Sequence, residues 1–251
     1  MLAATLAIFL ALTPSLTERV DYVVSQLLQN GFSRQEAQAL FHNRHLRPYP
    51  ARQVAPHQID WEKFIAALQT SSSLHRGQQF LARHQRVLSD AEERFGVDKE
   101  SLAALARVET NFGKNTGRYV TFNVFYTSLI RSADESRWKM AAENLVSLAV
   151  FCKRWHKDCF RIKGSYAGAI GITQFLPHTL ELYGYDGDGD GVVNAFVFSD
   201  AIFSTANFLV QHGWQQDPTA ALGKYYGNPE GYPRAVLAYA DSLRKMTANG
   251  H

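Results

Sequence analysis

The chain has 251 residues, with 46% hydrophobic and 20% charged positions. That is globular composition with apolar surface enough for a core, and it excludes a disordered chain. Net charge is only +3 with a pI near 8.8, which suits an acidic polymer but lacks the dense basic stripe of a nucleic-acid binder.

Residues 2–12 are apolar apart from Thr5, and no Lys or Arg precedes Arg19. The run is short for a bilayer span and matches the apolar region of a signal peptide. The usual basic start is missing and no clean Ala-x-Ala site comes after it, so a buried first helix is the alternative. Residues 1–16 are therefore set apart as a signal or apolar N-terminal segment, and the chain is expected to be exported to the periplasm or cell envelope. Most of the remaining chain reads as helix. Val20, Val23, Val24, Leu27 and Leu28 form one stripe over 18–30, and Ser33-Arg34-Gln35-Glu36 is a capping box for a short second helix. Residues 45–58, rich in Pro, Arg and His, read as a connector. A helix is predicted over Asp60–Gln69, a break at Thr70–Ser73, and one long helix over 74–95 ending at Gly96. Residues 17–75 are set apart as an N-terminal helical segment without nameable chemistry, and 76–251 as the domain that carries the segments described next, the catalytic domain of the resemblance given below.

Asp98 caps a helix running to Thr110. Within it Leu102, Leu105, Ala106 and Glu109 fall at i, i+3, i+4 and i+7, which puts Glu109 on the apolar face. A carboxyl there should hold its proton to higher pH, as a general acid needs. The alternative is a glutamate paired with a buried arginine or capping a neighbouring helix. Gly117–Asn123 is the best strand candidate, and further helices are predicted at 134–154, 200–211, 218–226 and 233–247. Cys152 and Cys159 could close a small local disulfide in an exported protein, or stay free thiols at a helix end. The stretch Lys163–Pro177 sets three glycines among small and aromatic residues, with Ser165 and Gln174 as hydrogen-bonding groups. It reads as a close-approach surface, for a ligand or for another helix.

Asp186-Gly187-Asp188-Gly189-Asp190-Gly191-Val192 matches the start of an EF-hand loop, with Asp at positions 1, 3 and 5 and Gly at 6. Position 12 is Val197 rather than an acid, and the next carboxylate is Asp200. A solvated Asp/Gly turn is the alternative to calcium. Lys224–Tyr232 sets tyrosines beside an amide, a pairing common at sugar sites and equally at home in core packing. Asp134, Glu135, Glu143 and Asp158 sit in polar helical contexts, so no convincing second catalytic carboxylate is evident.

In order and spacing these blocks resemble the membrane-bound lytic murein transglycosylase B type, glycoside hydrolase family 103. The likeness runs from about Leu81 to the C-terminus. It is best in Val108-Glu109-Thr110, Gly164–Pro177 and the stretch from Asp186 through Asp200-Ala201-Ile202 to His212-Gly213-Trp214. The resemblance implies a mainly α, lysozyme-like (α+β) fold: a helical catalytic domain with a small irregular or β lobe and an EF-hand-like loop. It implies a lytic transglycosylase acting on peptidoglycan glycan strands, with Glu109 as the single catalytic acid/base. Ser165, Gln174, Tyr226 and Asn228 would contact sugars. Asp186, Asp188, Asp190, the Val192 carbonyl and Asp200 would hold a structural Ca²⁺, with no organic cofactor. A monomer is expected, with no nucleic-acid partner and with peripheral membrane or wall-assembly partners left open. A hydrolytic muramidase of the same fold and a non-catalytic, calcium-dependent peptidoglycan-binding protein are the competing readings. Two departures stand out. Gly227 separates Tyr226 from Asn228 where the family commonly has Tyr-Asn, and only ten residues separate Trp214 from Tyr225.

Overall fold

The structure, a computed structural model, describes residues 14–50, 59–227 and 230–248. The signal-peptide reading of the apolar start therefore lies largely outside the described residues, as does Asn228. In chain order the helices are α1 (Leu16–Gln29), α2 (Arg34–Phe41), α3 (Trp61–Leu68), α4 (Ser71–Arg83), α5 (Gln85–Phe95) and α6 (Lys99–Thr110). They continue with α7 (Thr121–Arg131), α8 (Glu135–Arg154), α9 (Pro177–Tyr183), α10 (Phe198–Gln211), α11 (Pro218–Tyr226) and α12 (Tyr232–Ala248). A small antiparallel sheet pairs β1 (Tyr119–Val120) with β2 (Lys163–Gly164), in the register Tyr119–Gly164 and Val120–Lys163. The mainly α expectation with a small β lobe holds. No described helix is long and apolar enough to cross a membrane.

α6 is the centre of the fold. Leu102, Ala103, Ala104, Leu105 and Ala106 are all fully buried, and α12, α4, α5 and α10 pack around it. The long α8 organises the other side, against α7, α9 and α1. The N-terminal helices join both sides. Arg19 of α1 donates from Nη1 to the carbonyls of Leu129 and Ser132 at 2.8 and 2.7 Å, whereas α3 and α4 lie on α12. Residues 43–50 are strapped to α7 and β1: Tyr49 N–H donates to Thr127 Oγ1, and Val120 N–H donates to the Tyr49 hydroxyl.

Three local expectations need correction. The break at Thr70–Ser73 is only the N-cap Thr70, because α4 starts at Ser71. The single helix over 74–95 is two helices that meet at His84, whose ring packs between Phe80 and Phe198 with centroids 4.6 and 4.1 Å away. Gly117–Asn123 supplies only a two-residue strand before α7 begins at Thr121. α7 itself, rich in β-branched and aromatic residues of modest helix propensity, forms because Phe122, Phe125 and Leu129 at i, i+3 and i+7 all enter the core. Of the two alternatives for Cys152 and Cys159, the structure has buried free thiols.

Candidate active site and acidic loop

Glu109 is the penultimate residue of α6. The helix ends abruptly there: Asn111, Phe112 and Gly113 all have positive φ. Phe112 N–H donates back to the Ala106 carbonyl at 2.8 Å, closing the C-terminal turn. This stop aims Glu109 out of the core while Leu102, Leu105 and Ala106 behind it remain buried. Thr110 fixes the next turn. Its hydroxyl donates to the Ile172 carbonyl at 2.7 Å and accepts from Gly113 N–H at 2.8 Å, tying α6 to the loop before α9.

The surroundings of Glu109 are phenolic. The Tyr232 hydroxyl, at the first residue of α12, donates to Glu109 Oε1. Tyr226 stacks on Tyr232 with ring centroids 4.5 Å apart and planes 4° from parallel. Tyr225 donates to the Thr173 carbonyl at 2.6 Å. Enclosure in this wall pushes the Glu109 carboxyl up from its ordinary 4.5 to about 7, and the Tyr232 hydrogen bond only partly opposes that rise. The charge of Glu109 in turn helps, after burial, to raise the phenols of Tyr225, Tyr226 and Tyr232. No other carboxylate figures among the influences on Glu109. Asp134 caps α8, Glu135 pairs with Lys139 and Asp158 caps the 3-10 turn Cys159–Arg161. The Glu109 side chain is nonetheless only partly buried by exposure, so protein surrounds it without sealing it.

Trp61 of α3 packs edge-on to Tyr226. It also covers Gly231, where an added Cβ would lie 2.2 Å from three indole atoms. The N-terminal segment thus buttresses the tyrosine wall.

The segment from Gly164 to Phe175 makes a tight loop. Gly164 has no room for a side chain, since a Cβ would sit 2.2 Å from the Ala169 carbonyl oxygen, and Gly171 meets the Ala195 carbonyl just as closely. Ser165 Oγ accepts from Ala169 N–H at 3.1 Å and stays half-buried. Gln174 adopts φ +57°, and its amide donates to the carbonyls of Gly171 and Thr116 at 2.9 and 3.3 Å. Gln174, Tyr225, Tyr226 and Gly227 line one cavity of about 270 Å³. Tyr166, 66% exposed, lies within electrostatic reach of Tyr226. From there a groove of about 700 Å³ runs along Phe125, Tyr119 and Tyr49 to Arg131 and Arg137. The structure therefore brings Gln174 and Tyr226 together on one cavity, with Tyr226 beside the partner of Glu109. Ser165 is engaged in its own loop. Gly227 ends α11 with φ 74°, so the residue following Tyr226 serves as a helix cap.

Two site residues were missed by the sequence reading, Tyr232 and Tyr225. The signal was present: both stand in the tyrosine-rich Lys224–Tyr232 stretch. What the sequence lacks is the fit of α12 on α6 that delivers Tyr232 to Glu109.

In the acidic loop, ligand oxygens of Asp186, Asp188 and Asp200 lie within 4.8 Å of one another. Asp186 accepts from the N–H groups of Gly189, Asp190 and Gly191, which lower its carboxyl. Asp200, fully buried at the start of α10, accepts from Gly187 and Asn194 N–H at 2.9 and 2.8 Å. Its carboxyl is raised by burial first, against those hydrogen bonds, and by Asp188 and Asp186. Asp190 stands outside the trio, accepting from Val192 N–H at 2.8 Å.

Comparison with known proteins agrees with this architecture. The chain is 27% identical over 175 residues to membrane-bound lytic murein transglycosylase B of Escherichia coli K12; the match takes in 68% of this chain and 48% of that protein. The chain thus spans about half the length of that relative. The fold is that of the E. coli lytic transglycosylase Slt35, solved with bulgecin A (TM-score 0.80, 19% identity, 96% of each chain) and with calcium (TM-score 0.75). It is equally that of SltB3 of Pseudomonas aeruginosa, solved with NAG-anhNAM-pentapeptide (TM-score 0.77, 22% identity, 92% of this chain and 80% of that one). The sequence model of the Transglycosylase SLT domain matches residues 15–229, a span that holds Glu109, the Gly164–Phe175 loop, the acidic loop and Tyr226; the chain belongs to that family.

Proposed function

We propose that the chain is a lytic transglycosylase that cleaves the β-1,4 bond between N-acetylmuramic acid and N-acetylglucosamine in peptidoglycan, with Glu109 as its single acid/base. One observation carries this reading: a half-buried carboxyl, raised to about 7 by enclosure among tyrosines of which Tyr225 and Tyr226 line a cavity, with no second carboxylate acting on it. Ordinary glycosidases pair two carboxylates; here one group would serve in both directions. Neutral Glu109 gives its proton to the glycosidic oxygen as the C1–O bond breaks. The substrate's N-acetyl carbonyl stabilises the cation developing at C1. Ionised Glu109, held by the Tyr232 hydroxyl, then takes the proton of the C6 hydroxyl, and O6 bonds to C1. The products are a free 4-hydroxyl and a 1,6-anhydromuramic acid end, and no water is consumed. Gln174 and Tyr226 line the sugar path; Ser165 and Asn228 are assigned to the same path by the family resemblance. The complexes of SltB3 with NAG-NAM-pentapeptide and its anhydro product support the substrate class.

The acidic loop is assigned to a structural calcium ion. Three carboxylates with converging oxygens, two of them raising the third, are a hard-oxygen donor set short of positive charge. Asp186, Asp188 and Asp200 would hold the ion, with Asp190 and the Val192 carbonyl completing its shell, and it would clamp the loop to the first turn of α10. The calcium complex of Slt35 supports the choice of metal. An exported, monomeric enzyme meeting peptidoglycan in the cell envelope completes the reading.

Product analysis tests it. Digested peptidoglycan should release muropeptides with 1,6-anhydro ends, and Glu109→Gln should release none. Reducing muramic acid ends without anhydro ends would assign a hydrolytic muramidase instead. Wall binding without turnover in either protein would leave a binding module.

A further inference from the structure

α4 and α6 each send an arginine into the interface that they share with α12, and neither meets a carboxylate. Arg107, in the last turn of α6, is half-buried, and its Nε donates to Ser73 Oγ at 3.1 Å. Ser73, fully buried on α4, precedes Arg76 by three residues, so the two side chains share one helix face. Arg76 is half-buried as well, and its Nε is enclosed without an acceptor. Tyr239 of α12 closes the group, donating to the Ser73 carbonyl at 2.7 Å. Among the described residues neither guanidinium has an acidic group within ion-pair distance. Burial holds Arg107 below the usual arginine range; Tyr239 pulls it back, and the positive charge of Arg76 pushes it down again.

Two half-buried cations whose charges repel one another are costly unless an anion lies between them. Elsewhere the chain's enclosed arginines find acceptors: Arg19 the carbonyls of Pro14, Leu129 and Ser132, and Arg244 the carboxylates of Asp98 and Asp241. Nε of Arg76 is enclosed without a partner, and among the described residues no ion pair engages that fork. Planar guanidinium forks fit tetrahedral and trigonal oxyanions, and two of them balance a dianion better than a monoanion. Arg107 and Glu109 stand two positions apart on α6 and so do not share a face of the helix, which separates the pair from the tyrosine-walled carboxyl.

We propose that Arg76 and Arg107, with Ser73 and Tyr239 behind them, form an oxyanion-binding site for a phosphate dianion, free or borne as a monoester.

The test uses the full chain at pH 7.5 and constant ionic strength, with inorganic phosphate, glycerol phosphate, acetate and chloride as probes. Thermal denaturation and titration calorimetry should show saturable binding of inorganic phosphate, weaker binding of acetate and none of chloride. Arg76→Gln should weaken phosphate binding about tenfold or more, the loss of a charge-assisted contact, while its melting point in chloride holds or rises as the repulsion is relieved. Should Arg76→Gln fail to fold, Arg107→Lys serves, keeping the charge and losing the fork. Glycerol phosphate binding as tightly as phosphate upholds an ester-borne ligand; phosphate binding alone upholds a free ion. Phosphate also stabilises proteins by exclusion from their surface. An equal phosphate increment in wild type and variant, or calorimetry without saturable heat in the wild type, overturns the proposal.

Discussion

Glu109→Gln is expected to abolish turnover and, at the same time, to make the protein more stable in alkaline solution. Below about pH 4.5 the carboxyl is protonated in the folded and the unfolded chain alike, and it contributes no difference. Between 4.5 and about 7 the unfolded chain releases the proton while the folded chain keeps it. The folded state then binds more protons, and stability falls as pH rises. Above 7 the folded carboxyl ionises too, and the penalty is complete. Each pH unit in that window is worth about 1.4 kcal/mol, so the ceiling is about 3 kcal/mol; the partial opening of the site to solvent reduces it. Glutamine keeps the shape and can still accept from Tyr232, but it never carries the charge. In a chain of this size the variant should melt about 6–12 °C above wild type at pH 8 if the ceiling is reached, and level with it at pH 4. Paired thermal melts across pH 4–9 check this. A difference that does not grow with pH would mean that Glu109 ionises freely in the folded protein, and the acid/base assignment would lose its physical basis.

Tyr232→Phe removes the hydrogen bond that favours ionised Glu109, so the alkaline limb of the kcat/KM profile should move upward by about one pH unit; an unmoved limb would detach Tyr232 from the chemistry. Calcium should raise the melting temperature of wild type and a chelator should reverse the gain, while Asp200→Asn should be insensitive to both, since Asp200 joins the carboxylate trio to α10. Gly168→Ala places a Cβ about 2.5 Å from the Phe125 ring at a backbone φ of +90°, and urea titration should show a loss of about 1–3 kcal/mol.

The helices that announce themselves by period and caps were legible. Ser33 and Glu36 make the reciprocal capping box read from their spacing, and Asp98 caps α6 as its position suggested. Glu109 could be placed on an apolar face because three buried neighbours repeat at helical intervals. What stayed hidden depends on distant partners. α7 is not among the predicted helices, and only its first three residues fall in the strand candidate; it forms through the burial of its aromatic residues. The interruption at His84 has no proline or glycine to mark it; the ring's neighbours come from α4 and from the start of α10. Tyr232 stands 123 positions from Glu109, a separation over which periodicity says nothing. The acidic loop showed its carboxylates by spacing, and Asp200, named with them through the family resemblance, joins Asp186 and Asp188 from helix α10; that Asp190 stands apart from the trio was not legible.

Gly231 is covered by the Trp61 indole, which fills the volume that any β-carbon there would need. Positions 61 and 231 can therefore drift only in concert: an aromatic ring demands glycine opposite, and a larger residue at 231 demands a smaller one at 61. Aligned relatives should show that paired exchange, the mark of a steric fit between the leading helices and the body that they brace.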